Sequence, residues 1–456
     1  MKARQRILRG AAANFGSLAT RIAAQFLTLP ILFASWEAER VGAWLLLFAL
    51  PAYFGFVSAG FSGAGGTAAV AAHEKGDAAL ARAHFRSSWI MASAATLLLA
   101  ALFPLAVAQA EEAVAALRSV PPDTLKQTLF ALAIYIVATS QVAALEIPFR
   151  AVGRYADHIA LNSASILAEI VVIALSVSLS DDIATLATAL AATRITAAIW
   201  IAAQARRTAP AMFHGPSSTL GSSTRSLMLP SLALMLLPLV HGLNLQGYVM
   251  VIGISSGAIL LAGFVATRTL TRLLDLFTSF SFSMQFYEST HLDPEDLETR
   301  RRLLAVMTVL AACIAVAFSA ALLVFGDLAQ RIFTRAQAPF DPEVASVLLL
   351  AAGLRALAAA PFAMIAAANR HSTTVAWYFI ASLAGLILAA SLADRGFSLP
   401  LVLAPIVLAE LFHLVPAFRG ALRMSNLGVG EFIASLFSRD RIGDVAWALR
   451  ELRRSR

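Results

Sequence analysis

The chain has 456 residues, of which 59% are hydrophobic and 14% charged, with a mean hydropathy of +0.76 and a formal charge of +8. That balance excludes a soluble globular domain and marks an all-α polytopic membrane protein. The single Cys313 excludes an intramolecular disulfide, and basic charge placed between apolar runs reads as membrane topology rather than nucleic-acid binding.

A bilayer span needs about 20 predominantly apolar residues. Twelve runs meet that need. In the first half they lie at 11–34, 42–63, 88–107, 125–147, 158–179 and 183–204, and in the second at 227–252, 256–281, 303–325, 344–368, 373–392 and 399–418. The basic start MKARQRILRG imitates a signal peptide, but the run behind it is too long for an h-region and carries Arg21, so it reads as a retained first span. Residues 205–226, rich in Pro, Gly and Ser, read as a linker between an N-lobe (1–204) and a C-lobe (227–418), each of six spans. VGAWLLLFAL at Val41 echoes SGAILLAGFV at Ser256, which agrees with a repeat about an axis along the membrane normal and a central cavity between lobes. Beyond it, 419–456 alternates apolar residues with arginines and reads as a basic amphipathic tail on an anionic lipid surface.

Counting Lys and Arg on alternate sides gives 24 on the side of both termini, 6 on the other and 5 within spans. Both termini are therefore expected in the cytoplasm.

Ionisable side chains inside spans are expensive and are functional hypotheses by default. The segment 256–286 places Arg268, Arg272 and Asp275 on one face at mid-bilayer. Two guanidinium groups one turn apart suit a phosphate-bearing anion, because their planar forks match its oxygens. The competing reading has Asp275 neutralising Arg272 while Arg268 caps a carbonyl. In the first span Asn14, Ser17, Arg21, Gln25 and Thr28 recur at steps of three or four, and His241, Asn244 and Tyr248 share a face of the seventh. Glu169 with Arg194, and Glu410 with Arg355, are either structural pairs or, with the carboxylate unpaired, candidate proton or sodium coupling sites together with Asp275. No phosphate loop, HExxH pair, Cys/His cluster or GxSxG elbow is present, so the chain is expected not to be an enzyme and to need no cofactor.

The arm leading into NFGSLATRIAAQFLTLPILFASW, then VGAWLLLFALPAYFGFVSAGFSGAGG followed by HEKGD, resembles the start of bacterial polysaccharide flippases of the Wzx type, in the multidrug/oligosaccharidyl-lipid/polysaccharide exporter superfamily. The resemblance implies a MATE-like fold that moves an undecaprenyl-pyrophosphate-linked oligosaccharide across the inner membrane by alternating access. It also implies work beside polysaccharide polymerase and export proteins, in lipopolysaccharide or related biosynthesis. Related lipid II flippases carry cavity arginines on their first and eighth spans, and Arg21, Arg268 and Arg272 stand in similar places; the two further C-terminal spans of those proteins are not expected here. The alternatives are a lipid II-type precursor flippase and a MATE-type drug/cation antiporter, the latter disfavoured by the mid-span excess of arginine.

Overall fold

The computed structural model describes residues 3–110, 114–215, 220–291, 296–368 and 370–437. Its helices are α1 (Ala3–Ser35), α2 (Ala38–Glu74), α3 (Ala78–Ala110), α4 (Pro122–Ala144), α5 (Glu146–Ala151), α6 (Tyr155–Leu179), α7 (Ile183–Thr208), α8 (Pro210–Phe213), α9 (Leu220–Gly242), α10 (Tyr248–Ser255), α11 (Ala258–Thr271), α12 (Leu273–His291), α13 (Leu297–Thr334), α14 (Pro342–Ala367), α15 (Ser372–Asp394), α16 (Leu399–Met424) and α17 (Val429–Leu436). A π-turn, Leu243–Gly247, joins α9 to α10. No strand occurs among the described residues. Lipid offers the backbone no partners, so a chain this apolar must satisfy its amides within helices.

Among the described residues, nine helical segments are long and apolar enough to cross a membrane. The remaining three expected spans correspond to α2, to α9 with α10, and to α11 with α12. The chain is a multi-pass membrane protein. Several connecting segments are tied to one another by arginine side chains. Arg40 lies 3.3 Å from Asp181, Arg86 donates to the Phe213 carbonyl, Arg335 donates to the Ala34 carbonyl, and Arg301 donates to the Ser425 carbonyl.

The chain divides into two compact units, Met1–Val265 with Phe333–Ala338, and Ala266–Ile332 with Pro339–Arg456. This partition differs from a cut at 205–226, because α9 packs against α2 and α3 and so stays with the first unit. Within unit 1, α2 lies on α3, α4 on α7, and α1 on α6, around a core that includes Trp36, Trp44, Leu47 and Leu132. Arg335 and Gln337 donate to the Ala34 and Phe33 carbonyls, satisfying acceptors that the end of α1 leaves open.

Glycine permits a close backbone approach in this unit. A Cβ on Gly42 would stand 1.9 Å from the Ala258 carbonyl oxygen, a backbone atom that cannot swing aside. Gly42→Ala is therefore expected to lower stability by about 1–3 kcal/mol through overpacking, read as a lower unfolding midpoint of the purified protein. An unchanged midpoint would show that α2 and the start of α11 do not meet this closely.

Unit 2 centres on α14, which packs on α12 and α16, with α15 also against α16. Buried Ala351, Ala352, Ala356, Ala359, Ala360 and Ala363 let its neighbours approach closely, the small-residue packing typical of membrane bundles. Asp341 caps α14, its carboxylate accepting the Glu343 and Val344 amides at 2.9 and 3.1 Å, which contributes about 1 kcal/mol. At the far end α17 seats Phe432 beside Leu304, Ala421 and Phe418. Of the expected tail helix this short segment is what the structure describes; Arg439, Arg441, Arg450, Arg453 and Arg454 lie outside the described residues.

Candidate functional site

The segment expected to carry the site is not one continuous helix. It breaks at Arg272, which separates α11 from α12. The break is local, since the Arg272 amide still donates to the Arg268 carbonyl at 3.1 Å and the Asp275 amide to the Arg272 carbonyl at 3.0 Å. Its effect is to put Arg272 at a joint.

From that joint a chain of charges runs inward through unit 2. Arg272 Nε donates to Asp275 Oδ2 at 3.3 Å, and Arg355 Nη1 donates to Asp275 Oδ1 at 2.8 Å. Arg355 Nε donates to Glu410 Oε1 at 2.9 Å, and the Tyr378 hydroxyl donates to the same oxygen at 2.9 Å. His413 stacks on Tyr378, with ring centroids 4.4 Å apart, and its Nδ1 lies 4.0 Å from Glu410 Oε2. Side-chain exposure falls along this chain from 30% at Arg272 to 22% at Asp275, 18% at Arg355 and 0% at Glu410. The network has an accessible end, and that end is a guanidinium group.

Unit 1 holds a simpler counterpart. Arg194 Nη2 donates to Glu169 Oε2 at 2.7 Å, with Arg194 Nε 2.7 Å from Glu169 Oε1. The guanidinium also donates to Tyr135 and Ser165 at 3.4 Å and lies 5.5 Å from the centre of the Tyr135 ring. Exposure here is 7% for Arg194 and 12% for Glu169, so nothing in the pair is open. Both units thus build an Arg, Glu and Tyr cluster on three helices, α4, α6 and α7 in one and α14, α15 and α16 in the other. The residue types are permuted among those helices. Only unit 2 adds an aspartate from a broken helix.

Each carboxylate considered for ion coupling, Glu169, Glu410 and Asp275, therefore has an arginine partner, and the condition of an unpaired buried carboxylate is not met. Asp275 does pair with Arg272, as the competing sequence reading had it, but it shares itself with Arg355. Arg268 is half-buried one turn before Arg272. Arg21 is exposed and Gln25 half-buried on α1 in unit 1, while the Asn14 side chain lies outside the described residues. His241, Asn244 and Tyr248 do not share one environment: His241 is exposed, whereas Asn244 and Tyr248 are buried. The π-turn between them inserts a wider turn and shifts the 3.6-residue repeat on which the common face depended. Tyr135, Tyr378 and His413 escaped the sequence reading, although a tyrosine or histidine amid aliphatic residues of a span was the available signal.

No protein-family model matches the sequence, and no curated protein matches it. Solved structures do. An inward-facing multidrug resistance MATE family transporter of the MOP superfamily superposes with a TM-score of 0.68 at 14% identity, over 89% of this chain and 96% of that chain. The chain has the MATE-type fold. The lipid II flippase MurJ in an inward closed conformation gives a TM-score of 0.62 at 12% identity over 96% of both chains. A MATE in complex with MaL6 gives 0.58 at 15% identity over 92% of this chain and 96% of that one.

Proposed function

We propose that the chain is a flippase, a transporter and not an enzyme, for a lipid-linked oligosaccharide carrying a diphosphate. The expected substrate is of the undecaprenyl-pyrophosphate kind, moved across a bacterial inner membrane by alternating access. The observation that carries this reading is Arg272: an accessible guanidinium at a helix joint, one turn from Arg268, at the open end of a charge network on membrane-depth helices. Counting Arg268, Arg272 and Arg355 against Asp275 and Glu410 gives three positive groups to two negative. A cavity for an organic cation requires the opposite excess, which disfavours a MATE-type drug antiporter.

Charge-assisted hydrogen bonds to a diphosphate are about twice as strong as neutral ones, and guanidinium can make them in pairs. An arriving diphosphate competes with Asp275 for Arg272. Arg355 keeps Glu410 throughout, so the buried end of the network stays neutral. In unit 1, Arg21, Gln25, Asn14, His241 and Asn244 are proposed to meet the same class of ligand. Coupling to a proton or sodium gradient through Glu169, Glu410 or Asp275 would need a carboxylate without a partner; each has an arginine, so flipping is expected to be unchanged when both gradients are collapsed. Partnership with a polysaccharide polymerase belongs to the same reading.

The test uses the full chain in vesicles containing a fluorescent prenyl-diphosphate oligosaccharide. Protein-dependent exposure of the label to an external quencher supports the reading, while efflux of organic cations without glycolipid movement supports the antiporter. The MATE-type fold shared with MurJ favours a second reading, a peptidoglycan-precursor flippase. Competition between lipid II and the oligosaccharide lipid in the same vesicles decides between them.

A further inference from the structure

Two cavities of unit 1 take no part in the charge clusters above. One, of about 370 Å³, lies at the arginine-rich end and is lined by Phe85, Arg86, Trp89, Arg206, Phe213 and His214. Arg86 Nη2 donates to the Phe213 carbonyl at 2.8 Å, and the Arg206 guanidinium lies 5.9 Å from the centre of the Phe213 ring. Phe85, Trp89 and Phe213 pack edge to face and face to face, giving a rigid aromatic wall. The other cavity is a groove of about 590 Å³, almost wholly apolar, whose walls include Leu97, Phe130, Val137, Ile195 and Ile199 together with Gln141. Phe130 and Ile199 are 68% and 66% exposed, so the groove opens on the outer face of the helices.

The two cavities adjoin. Trp89, from the first, donates to Gln141 Oε1, from the second, and Gln141 Nε2 donates to Ser93 at 3.1 Å. On α7, Ile195, Ile199 and Arg206 follow one helical stripe from groove to cavity, and on α3 the stripe is Leu97, Ser93, Trp89 and Arg86. Eleven residues separate Ile195 from Arg206, about 16 Å of helix at 1.5 Å per residue. The hydrocarbon core of a bilayer is about 30 Å thick, so this length matches one leaflet.

We infer that α3, α4 and α7 form a site for a single bilayer phospholipid with a small anionic headgroup, such as phosphatidylglycerol, in the arginine-rich leaflet. The phosphate lies with Arg86 and Arg206 against the aromatic wall, and one acyl chain lies in the groove. Tryptophan and arginine at the junction suit the headgroup level, where amphipathic rings and snorkelling cations settle. A cavity of about 370 Å³ suits a phosphate with a glycerol, the size of a bilayer lipid's headgroup. This site stands whether or not the proposed transport activity does.

The test reconstitutes the full chain with phosphatidylglycerol and phosphatidylcholine of identical acyl chains, extracts it in detergent and counts retained lipids by native mass spectrometry. Wild-type protein should retain phosphatidylglycerol over phosphatidylcholine by about fivefold or more, the preference expected from one guanidinium near an anionic headgroup. Arg206→Glu, at an exposed position, should abolish the preference with an unchanged unfolding midpoint, and Ala198→Trp, in the groove, should reduce retention of both lipids. Equal retention by the wild type, or a preference that survives Arg206→Glu, overturns the site. Displacement of phosphatidylglycerol by soluble glycerol phosphate at equal concentration would show a phosphate site without a lipid one and overturns it as well.

Discussion

Arg355→Leu is expected to cost the solubilised protein about 3–5 kcal/mol of stability. The physical cause is what the substitution leaves behind. Glu410 has 0% side-chain exposure and takes its ionic partner from Arg355, with Tyr378 as its other donor. Without the guanidinium, a fully buried carboxylate must be neutralised or carried as an unpaired charge. Arg355→Leu with Glu410→Leu should recover most of the loss, since an apolar pair of similar volume often replaces a buried ion pair at little cost. Urea titration of the two variants checks this. A single variant within about 1 kcal/mol of wild type would mean that Glu410 does not depend on Arg355. The Arg194 and Glu169 pair, nearly as buried, should follow the same pattern in unit 1.

The largest functional effect is expected at Arg272. Its guanidinium is the accessible end of the network, and Arg272→Glu replaces the proposed ligand of the diphosphate with a repelling charge. Loss of one charge-assisted contact is worth about 1.5–3 kcal/mol, so with repulsion added the flipping rate should fall by about 100-fold or more, and Arg268→Glu should behave alike. Arg272 is 30% exposed and its ion pair is with Asp275 on the same segment, so the variant should still insert and fold. Asp275→Asn separates two ideas about the same residue. If Asp275 is the internal counter-ion that a ligand displaces, its loss should tighten diphosphate binding by about tenfold, since Arg272 no longer has to exchange partners. If Asp275 merely holds the helix joint, binding should weaken with stability. Equilibrium binding of prenyl diphosphate to the purified variants, read beside their unfolding midpoints, distinguishes the two.

Much of the architecture was legible because lipid imposes one rule on every segment. An apolar run of span length must be helical, so the spans follow from composition along the chain. The division into compact units was less legible. Residues 205–226 look like a linker by composition, yet α9 packs on α2 and α3, with Gly60 brought against Met235 and the Ser231 carbonyl, a contact no local pattern announces. At the site, the arginines and carboxylates stood out because charge is rare in spans. Their partners did not, since pairing Asp275 with Arg355 joins residues 80 positions apart. Periodicity failed where the helix departs from 3.6 residues per turn. The π-turn at Leu243–Gly247 separates His241 from Asn244, and the break at Arg272 turns a continuous stripe into a joint.

Recognition of the diphosphate itself is tested most directly by comparing two substrates in the same proteoliposomes. One is a prenyl-diphosphate oligosaccharide, and the other is the same glycolipid with an uncharged linker in place of the diphosphate. Guanidinium groups waiting at bilayer depth for an anion predict rapid transfer of the first and transfer of the second no faster than in protein-free vesicles. Equal rates for the two would contradict the role given to Arg268 and Arg272.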